Sequence, residues 1–426
     1  MEFALGFDDY AAIDSKLADT DQLLRFSYPG DNGSRQPVHT VYVPADRYQP
    51  SLPGDWGREA AAAVERAGGM GALCSALGVN DDVGTLVSAK LAAEPIEDLR
   101  LDFEDGYGNR PDDEEDADAA RAAIAVARAV RDGIAPPFIG IRFKCFEEPT
   151  RRRALRTLDL FVGGLLAEGP LPEGLVLTLP KVSTVAQVEA MVFACQRLEA
   201  VHGLPSGRLR FEVQMETPQL ILAADGTVPV AQLLHRAEGR VSALHYGTYD
   251  YSDSLQIAAA YQSMEHPAAD YAKQVMQVAV AGTGVRLSDG STNILPIGTQ
   301  TEVSAAWALH ARLVRRSLER GYYQGWDLHP AQLPSRFIAT YAFYRDGLPA
   351  AAERLRNYVH RLDSAILDEP ATARALARFV HRGVLCGAVT DAEVSKLAGI
   401  SIGDLEALAH PRKLPETTER TLRTER

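Results

Sequence analysis

The sequence predicts an α/β protein, a (β/α)8 TIM barrel with an N-terminal extension and a C-terminal helical segment. Three observations point to this class. Eight short apolar runs recur along the 426 residues, alanine-rich stretches of helical spacing separate most of them, and six of the eight runs lead into a polar or charged group at the same end. Short buried strands alternating with helices make a parallel sheet, and eight such units suit a closed barrel. An open doubly wound sheet is the structural alternative.

The expected strands are, in order, residues 38–43, 99–103, 138–143, 175–179, 209–215, 241–246, 292–296 and 322–328. Helical spacing is clearest over 114–131, 185–201 and 302–320. Residues 1–37 precede the first strand and 336–426 follow the last. The chain therefore divides into an N-terminal extension (1–37), a catalytic barrel (38–335) and a C-terminal segment (336–426) suited to a lid or to oligomerisation. The ending HPRKLPETTERTLRTER is polar, lacks apolar periodicity and is expected to fray.

Composition narrows the function classes. Hydrophobic residues make up 46% and charged residues 24%, which suits a globular core with a solvated surface. A net charge of −13 opposes broad binding to nucleic acid or to anionic membrane. A local basic pocket for an anionic substrate stays compatible with it. No stretch approaches the roughly 20 apolar residues needed to span a bilayer, and the N-terminus lacks the pattern of a secretory signal. Cys74, Cys145, Cys195 and Cys386 form no CxxC pair, so free thiols in a reducing cytoplasm are expected.

In a barrel the chemistry collects at the C-terminal ends of the strands. Glu104 and Asp105 follow the second run, Arg142 and Lys144 close the third, and Lys181 follows the fourth. Glu216 ends the fifth, Asp250 lies beyond the sixth and His329 ends the eighth. Two carboxylates from adjacent strands, completed by water and substrate oxygens, suit Mg²⁺ or the related Mn²⁺, a hard ion seldom given an all-protein cage. A nearby arginine steadies a substrate oxyanion. Together they suit a 2-keto acid and an enolate or alkoxide, the electrophilic part of aldol and Claisen chemistry.

Each residue also has a plainer reading. Glu216 could cap a helix or enter a salt bridge, Asp250 could sit in a turn, and Arg142 could pair with Glu104 or Asp105. His329, before a proline, could be packed and hydrogen-bonded. The joint placement, rather than any one residue, carries the expectation.

At these residues the sequence resembles the family of citrate lyase β-subunits, malyl-CoA lyases and 2-keto-acid aldolases. The resemblance runs from about Val38 to Arg382, through VHTVYVPADRY, LDFEDGYGNRPDDEEDADAAR, IRFK, LPKV, QMETP, YGTYDYSDSL and DLHPAQLP in the family's order. It implies an oxyanion-stabilising role for Arg142, metal ligation by Glu216 and Asp250, and support from Glu104 and Asp105. Substrate contacts are expected at Lys181, Thr217, Pro218 and His329. The segment SAILDEPATARALARF resembles the malyl-CoA lyase tail and implies that Asp368 is the proton-transfer base, reaching a neighbouring subunit in a homo-oligomer, a trimer or hexamer. Otherwise Asp368 and Glu369 begin a helix with Pro370 in its first turn.

The resemblance implies a carbon–carbon lyase acting on a small keto or hydroxy acid, free or as an acyl-CoA. Residues 44–98 and 251–291 are longer than the family's pattern. The early region, where members that use coenzyme A hold the nucleotide, offers Arg47 and Arg58 but no dense basic cluster. Arg151–Arg153 could meet phosphates or simply begin a solvated helix. Three rivals remain: a phosphoenolpyruvate-type phosphotransferase or mutase, a nicotinamide oxidoreductase and a non-catalytic barrel. No GxxxxGK loop supports the first, and GTGVRL at 282–287 lacks the third glycine needed for the second. A buried trio of Arg142, Glu216 and Asp250 would be without purpose in the third. No HExxH supports a zinc hydrolase.

Overall fold

In the computed structural model, which describes residues 4–362 and 368–411, eight parallel strands stand side by side in a single sheet. They are β1 (His39–Pro44), β2 (Asp98–Asp102), β3 (Phe138–Arg142), β4 (Leu175–Leu179), β5 (Phe211–Met215), β6 (Val241–Tyr246), β7 (Arg286–Ser288) and β8 (Gly325–Asp327). β8 pairs with β1. The sheet closes between β7 and β8 through a Ser288–Gln324 bridge and a hydrogen bond from Asp289 N–H to Gln324 O (2.8 Å). The closed barrel excludes the open doubly wound sheet.

Helix α1 (Phe7–Ser27) precedes β1 and buries none of its side chains. Between β1 and β2 lie α2 (Leu52–Arg66), α3 (Met70–Ala76) and α4 (Asp81–Ala93), which account for the length of that connection. The strands from β2 on are followed in turn by α5 (Asp112–Arg131), α6 (Arg151–Glu168), α7 (Val185–His202), α8 (Pro229–Arg236), α9 (Thr248–Ser254), α10 (Pro267–Val280) and α11 (Gln300–Glu319). After β8 come α12 (Leu333–His360), α13 (Pro370–Leu385), α14 (Asp391–Ala398) and α15 (Ile402–Ala409). The ends follow ordinary rules. α5 opens on Asp112–Glu115 and closes with Arg128 and Arg131, matching the helix dipole. α11 begins in a capping box in which Thr299 and Glu302 satisfy each other's backbone N–H groups.

One expected strand is wrong. Residues 292–296 form a loop, and the seventh strand is Arg286–Ser288. A barrel strand is covered on both faces, whereas Ile294 is 52% exposed and Asn293 N–H turns out to the Tyr249 hydroxyl (2.6 Å). The remaining runs fall on strands, the fifth and eighth being shorter than expected. The expected fraying concerned a tail that, from residue 412 on, lies outside the described residues.

Two cores result. Buried side chains of β1–β7 pack against α5–α8 and α10. A separate cluster joins α2–α4 to α12–α15, through residues such as Val87, Phe337, Leu355 and Val394. The insertion after β1 and the C-terminal helices therefore fold as one layer on the β8–β1 side. Beneath α12, Asp327 at the end of β8 accepts from Arg336 and lies 2.8 Å from His39 Nδ1, which ties that layer to the barrel.

Candidate active site

Inside the barrel the strands present ions rather than the usual branched apolar layers. Arg100 donates to Glu212 (2.9 Å) and Thr178 (3.0 Å) and pairs with Asp98, all of them buried. Burial opposes the charge on Glu212, but Arg100 and His245 more than reverse that and hold its carboxyl well below the usual range. Tyr42 and Gln214 stand above this network, with Gln214 Nε2 donating to the Tyr42 hydroxyl (3.2 Å).

One layer higher lies Arg142, the last residue of β3. Parallel register sets it directly beside Asp102 at the end of β2. Its Nε and Nη2 each donate to an Asp102 oxygen at 2.7 Å. The guanidinium lies over the Tyr42 ring, 4.7 Å from its centroid. Nη1 has only long approaches, 3.5 Å to Gln214 Oε1 and 3.5 Å to Glu104 Oε2. Burial disfavours the Arg142 charge, yet Asp102 and Glu104 outweigh it and keep the side chain ionised. One corner of this charged donor is therefore only weakly held, at the C-terminal end of the barrel.

Around that corner are carboxylates. Glu216 directly follows β5 and is buried; its Oε2 accepts from Lys181 N–H at 2.9 Å. Burial, reinforced by the charges of Asp250 and Glu104, raises its carboxyl to about 8. Burial raises Glu104 to about 7, with Arg142 opposing and Asp105 reinforcing the shift. Lys181 joins the group: its Nζ lies 2.5 Å from Glu104, 2.7 Å from Asp105 and 3.7 Å from Asp250. To face both ways Lys181 takes a left-handed backbone, φ 50°. That conformation is uncommon outside glycine, and such strain gathers at functional sites. Asp250 sits in the first turn of α9, half exposed.

The structure thus brings Glu104, Asp105, Arg142, Lys181, Glu216 and Asp250 to one mouth. Thr217 adjoins it, with its hydroxyl donating to Val182 O (2.6 Å), and Pro218 starts the following turn. Arg47 is exposed on the short turn after β1. Lys144 is spent on Glu115 (2.7 Å) and Phe103 O (2.8 Å). Arg153 is tied to acids of α5. His329 Nδ1 accepts from Ala331 N–H (3.1 Å), a cap of the following turn. Asp368 does not reach its own barrel mouth. It accepts from Arg354 Nε at 3.1 Å, some 20 residues down α12 from β8, on the order of 30 Å of helix.

Two residues that shape this site were missed. Asp102 fixes Arg142; the alternation Asp98, Arg100, Asp102, Glu104 at period two marks it as facing inward with Arg100. Gly247 leaves room for Glu216: a Cβ there would lie 2.3 Å from Glu216 Cγ.

The donors suit a hard divalent cation, since they are oxygens only, and burial with neighbouring carboxylates raises Glu104 and Glu216. Among the described residues no group of three or more His, Cys, Asp or Glu is gathered to hold a metal ion. A pair of carboxylates completed by water and substrate is the arrangement left, and it is one Mg²⁺ accepts.

Fold and mouth together define a (β/α)8 barrel with an anionic, arginine-bearing C-terminal face. The chain matches, over residues 17–413, the family described as a domain of unknown function (DUF6986), and it belongs to that family. No curated protein matches it. Among solved structures it is similar to the malate synthase of Haloferax volcanii in its magnesium/glyoxylate complex, at 12% identity over 89% of this chain and 98% of that one, TM-score 0.49. It is also similar to CitE of Mycobacterium tuberculosis in complex with magnesium, acetoacetate and coenzyme A, at 16% identity over 83% and 99%, TM-score 0.48. At these identities and scores the likeness carries no functional weight. No helix among the described residues is long and apolar enough to cross a membrane, and the four cysteines are free and buried.

Proposed function

We propose that the protein is a Mg²⁺-dependent carbon–carbon lyase or aldolase acting on a small 2-keto or hydroxy acid, free or as its acyl-CoA. One observation carries the reading. Arg142, with its Nη1 corner unspent, stands over Glu104, Glu216 and Asp250, whose mutual repulsion asks for a cation. Glu216 and Asp250 would hold the metal, Mg²⁺ or Mn²⁺. The ion would supply Lewis-acid polarisation of the substrate's carboxylate and adjacent oxygen.

The chain's own groups do the rest. Arg142 Nη1 donates to the oxygen on which charge develops as the carbon–carbon bond breaks, and Asp102 holds it there. Lys181 keeps Glu104 and Asp105 clear of that oxygen. Thr217, Pro218 and His329 border the acid, and Arg47 is placed to meet a nucleotide phosphate if the substrate is a thioester. The division at 37/38 and 335/336 belongs to the same reading. In it the C-terminal segment of one subunit closes over the mouth of the next and delivers Asp368 as the proton-transfer base.

The test is a panel of 2-keto and hydroxy acids, with and without acyl-CoA partners, assayed with Mg²⁺. Cleavage or condensation by the wild type should vanish in Asp250→Ala while the circular dichroism spectrum stays unchanged. Full metal-dependent turnover in that variant would sink the assignment.

A further inference from the structure

At the opposite, N-terminal mouth of the barrel a cavity of roughly 940 Å³ opens to solvent. Its wall is made by the starts of the strands, including Asp98, Phe138, Leu175, Val241 and Arg286. Its rim includes the segment 26–37, which is pinned by Gly30 N–H to Gly282 O (2.8 Å). The volume falls in the range of small-molecule sites, about 300–1,000 Å³.

Five arginines and five carboxylates line it, so its charge balances in total but not from place to place. On the floor Asp98 and Glu212 are taken up by Arg100. At the side Arg35 is taken up by Glu94 and Glu97. Asp31 pairs with Arg382 across the rim segment (3.1 Å), and Glu238 accepts from Gln196 (2.7 Å). Glu173, also on the wall, is exposed. Among the described residues three arginines remain without a carboxylate within ion-pair distance. Arg208 donates to the carbonyls of Leu171 and Pro172, Arg210 makes one long contact to Val241 O (3.4 Å), and Arg286 donates to Ser34 O (2.9 Å) and Oγ (2.6 Å). Burial holds Arg286 below the usual arginine value; Asp31 opposes the shift, and the neighbouring charges of Arg210 and Arg382 add to it. Arg210 and Arg286, close enough to repel each other, form a local positive pair on a wall whose charges balance in total.

We propose that the N-terminal cavity is a second ligand site. It takes a small molecule with one anionic group, the anion bound by Arg210 and Arg286 above the closed floor of Arg100, Asp98 and Glu212. Guanidinium recognises phosphate and carboxylate alike, so the site specifies a small anion and the experiment separates the two head groups. The proposal is independent of the chemistry at the other mouth.

Calorimetric titration in metal-free, low-salt buffer would use ribose 5-phosphate, gluconate and uncharged ribose. Binding of ribose 5-phosphate or gluconate at one site per chain, with ribose inert, is expected; the phosphate arm alone or the carboxylate arm alone would identify the head group. Arg210→Ala should weaken binding at least tenfold, and because that side chain makes a single long contact the variant should keep its melting temperature. Arg142→Ala should bind as the wild type does. Absence of binding by both anions would overturn the proposal. So would binding that survives Arg210→Ala combined with Arg286→Ala in a folded protein, or that is lost in Arg142→Ala.

Discussion

Lys181 holds Glu216 with its backbone and Glu104 with its side chain, so one residue in a left-handed conformation spans the two raised carboxyls of the mouth. The sign of the resulting pH dependence follows. Glu216 at about 8 and Glu104 at about 7 stand above the unfolded value of about 4.3. The folded, metal-free state therefore keeps protons that the unfolded state releases. These two groups favour folding on the acidic side, and the benefit falls away as pH rises from about 5 to 8. Glu216→Gln removes one of them. Its melting temperature relative to wild type should rise between pH 5.5 and 8.5 without metal; a difference flat across that span would contradict the burial argument.

Metal should act in the opposite sense. A cation competes with protons for Glu216, so Mg²⁺ should raise the wild-type melting temperature more at pH 8.5 than at pH 6. Scanning calorimetry with and without Mg²⁺ at the two pH values reads this directly. An equal shift at both would place the ion elsewhere. In Glu216→Gln the Mg²⁺-induced shift should shrink to that of a monovalent salt control.

Gly247 offers a test that leaves every charge in place. A methyl at this position would meet Glu216 Cγ at 2.3 Å and Oε1 at 2.9 Å. Its φ of −97° is open to any residue, so the penalty is steric alone. Overpacking of this kind costs about 1–3 kcal/mol, and here it would be relieved by displacing the Glu216 carboxylate. Gly247→Ala should remain folded, lose the Mg²⁺-induced thermal shift and lose turnover together. A variant with wild-type metal response would mean that Glu216 has another place to go.

Asp102 positions Arg142 without facing the substrate. Removing its charge leaves a buried guanidinium unpaired, which costs about 3–5 kcal/mol in comparable cases. Asp102→Ala should therefore lower the urea midpoint. Asp102→Asn, which keeps the shape and the N–H contacts to one oxygen, should retain more stability yet lose about 10²-fold in kcat, with KM changed far less. A merely structural role would move stability and leave kcat alone.

How much of this could be read in the chain depends on the distance over which each signal acts. The runs 175–179 and 241–246 become strands with the same bounds, because a strand buried on both faces is a continuous apolar word. The seventh strand failed for the converse reason. Arg286–Ser288 is only three residues long, while Ile294 and Leu295 form an apolar stretch in a loop. The acids and Arg142 were visible as strand endings. Asp102 was hidden, since only the pairing of β2 with β3 shows that it stands beside Arg142. The cluster joining α2–α4 to α12–α15 unites segments some 250 residues apart, beyond any local periodicity.

The tail poses the sharpest question. Asp368 is bound to Arg354, and that hydrogen bond keeps its carboxyl below the usual range against a slight opposing effect of burial. An aspartate so held is ionised at neutral pH but must leave Arg354 before it can accept a proton, and within its own chain it lies far along α12 from Arg142. If it serves catalysis, it serves a neighbour. Asp368→Ala and Arg142→Ala should then each be inactive alone. Mixed under conditions that exchange subunits, they should regain up to about a quarter of wild-type activity in a symmetric oligomer, since an intact site needs one subunit of each kind. A dead Asp368→Ala with no recovery on mixing would confine the residue to its own subunit. A fully active Asp368→Ala would leave the Arg354 pair as a helix-start anchor and remove the tail from the chemistry.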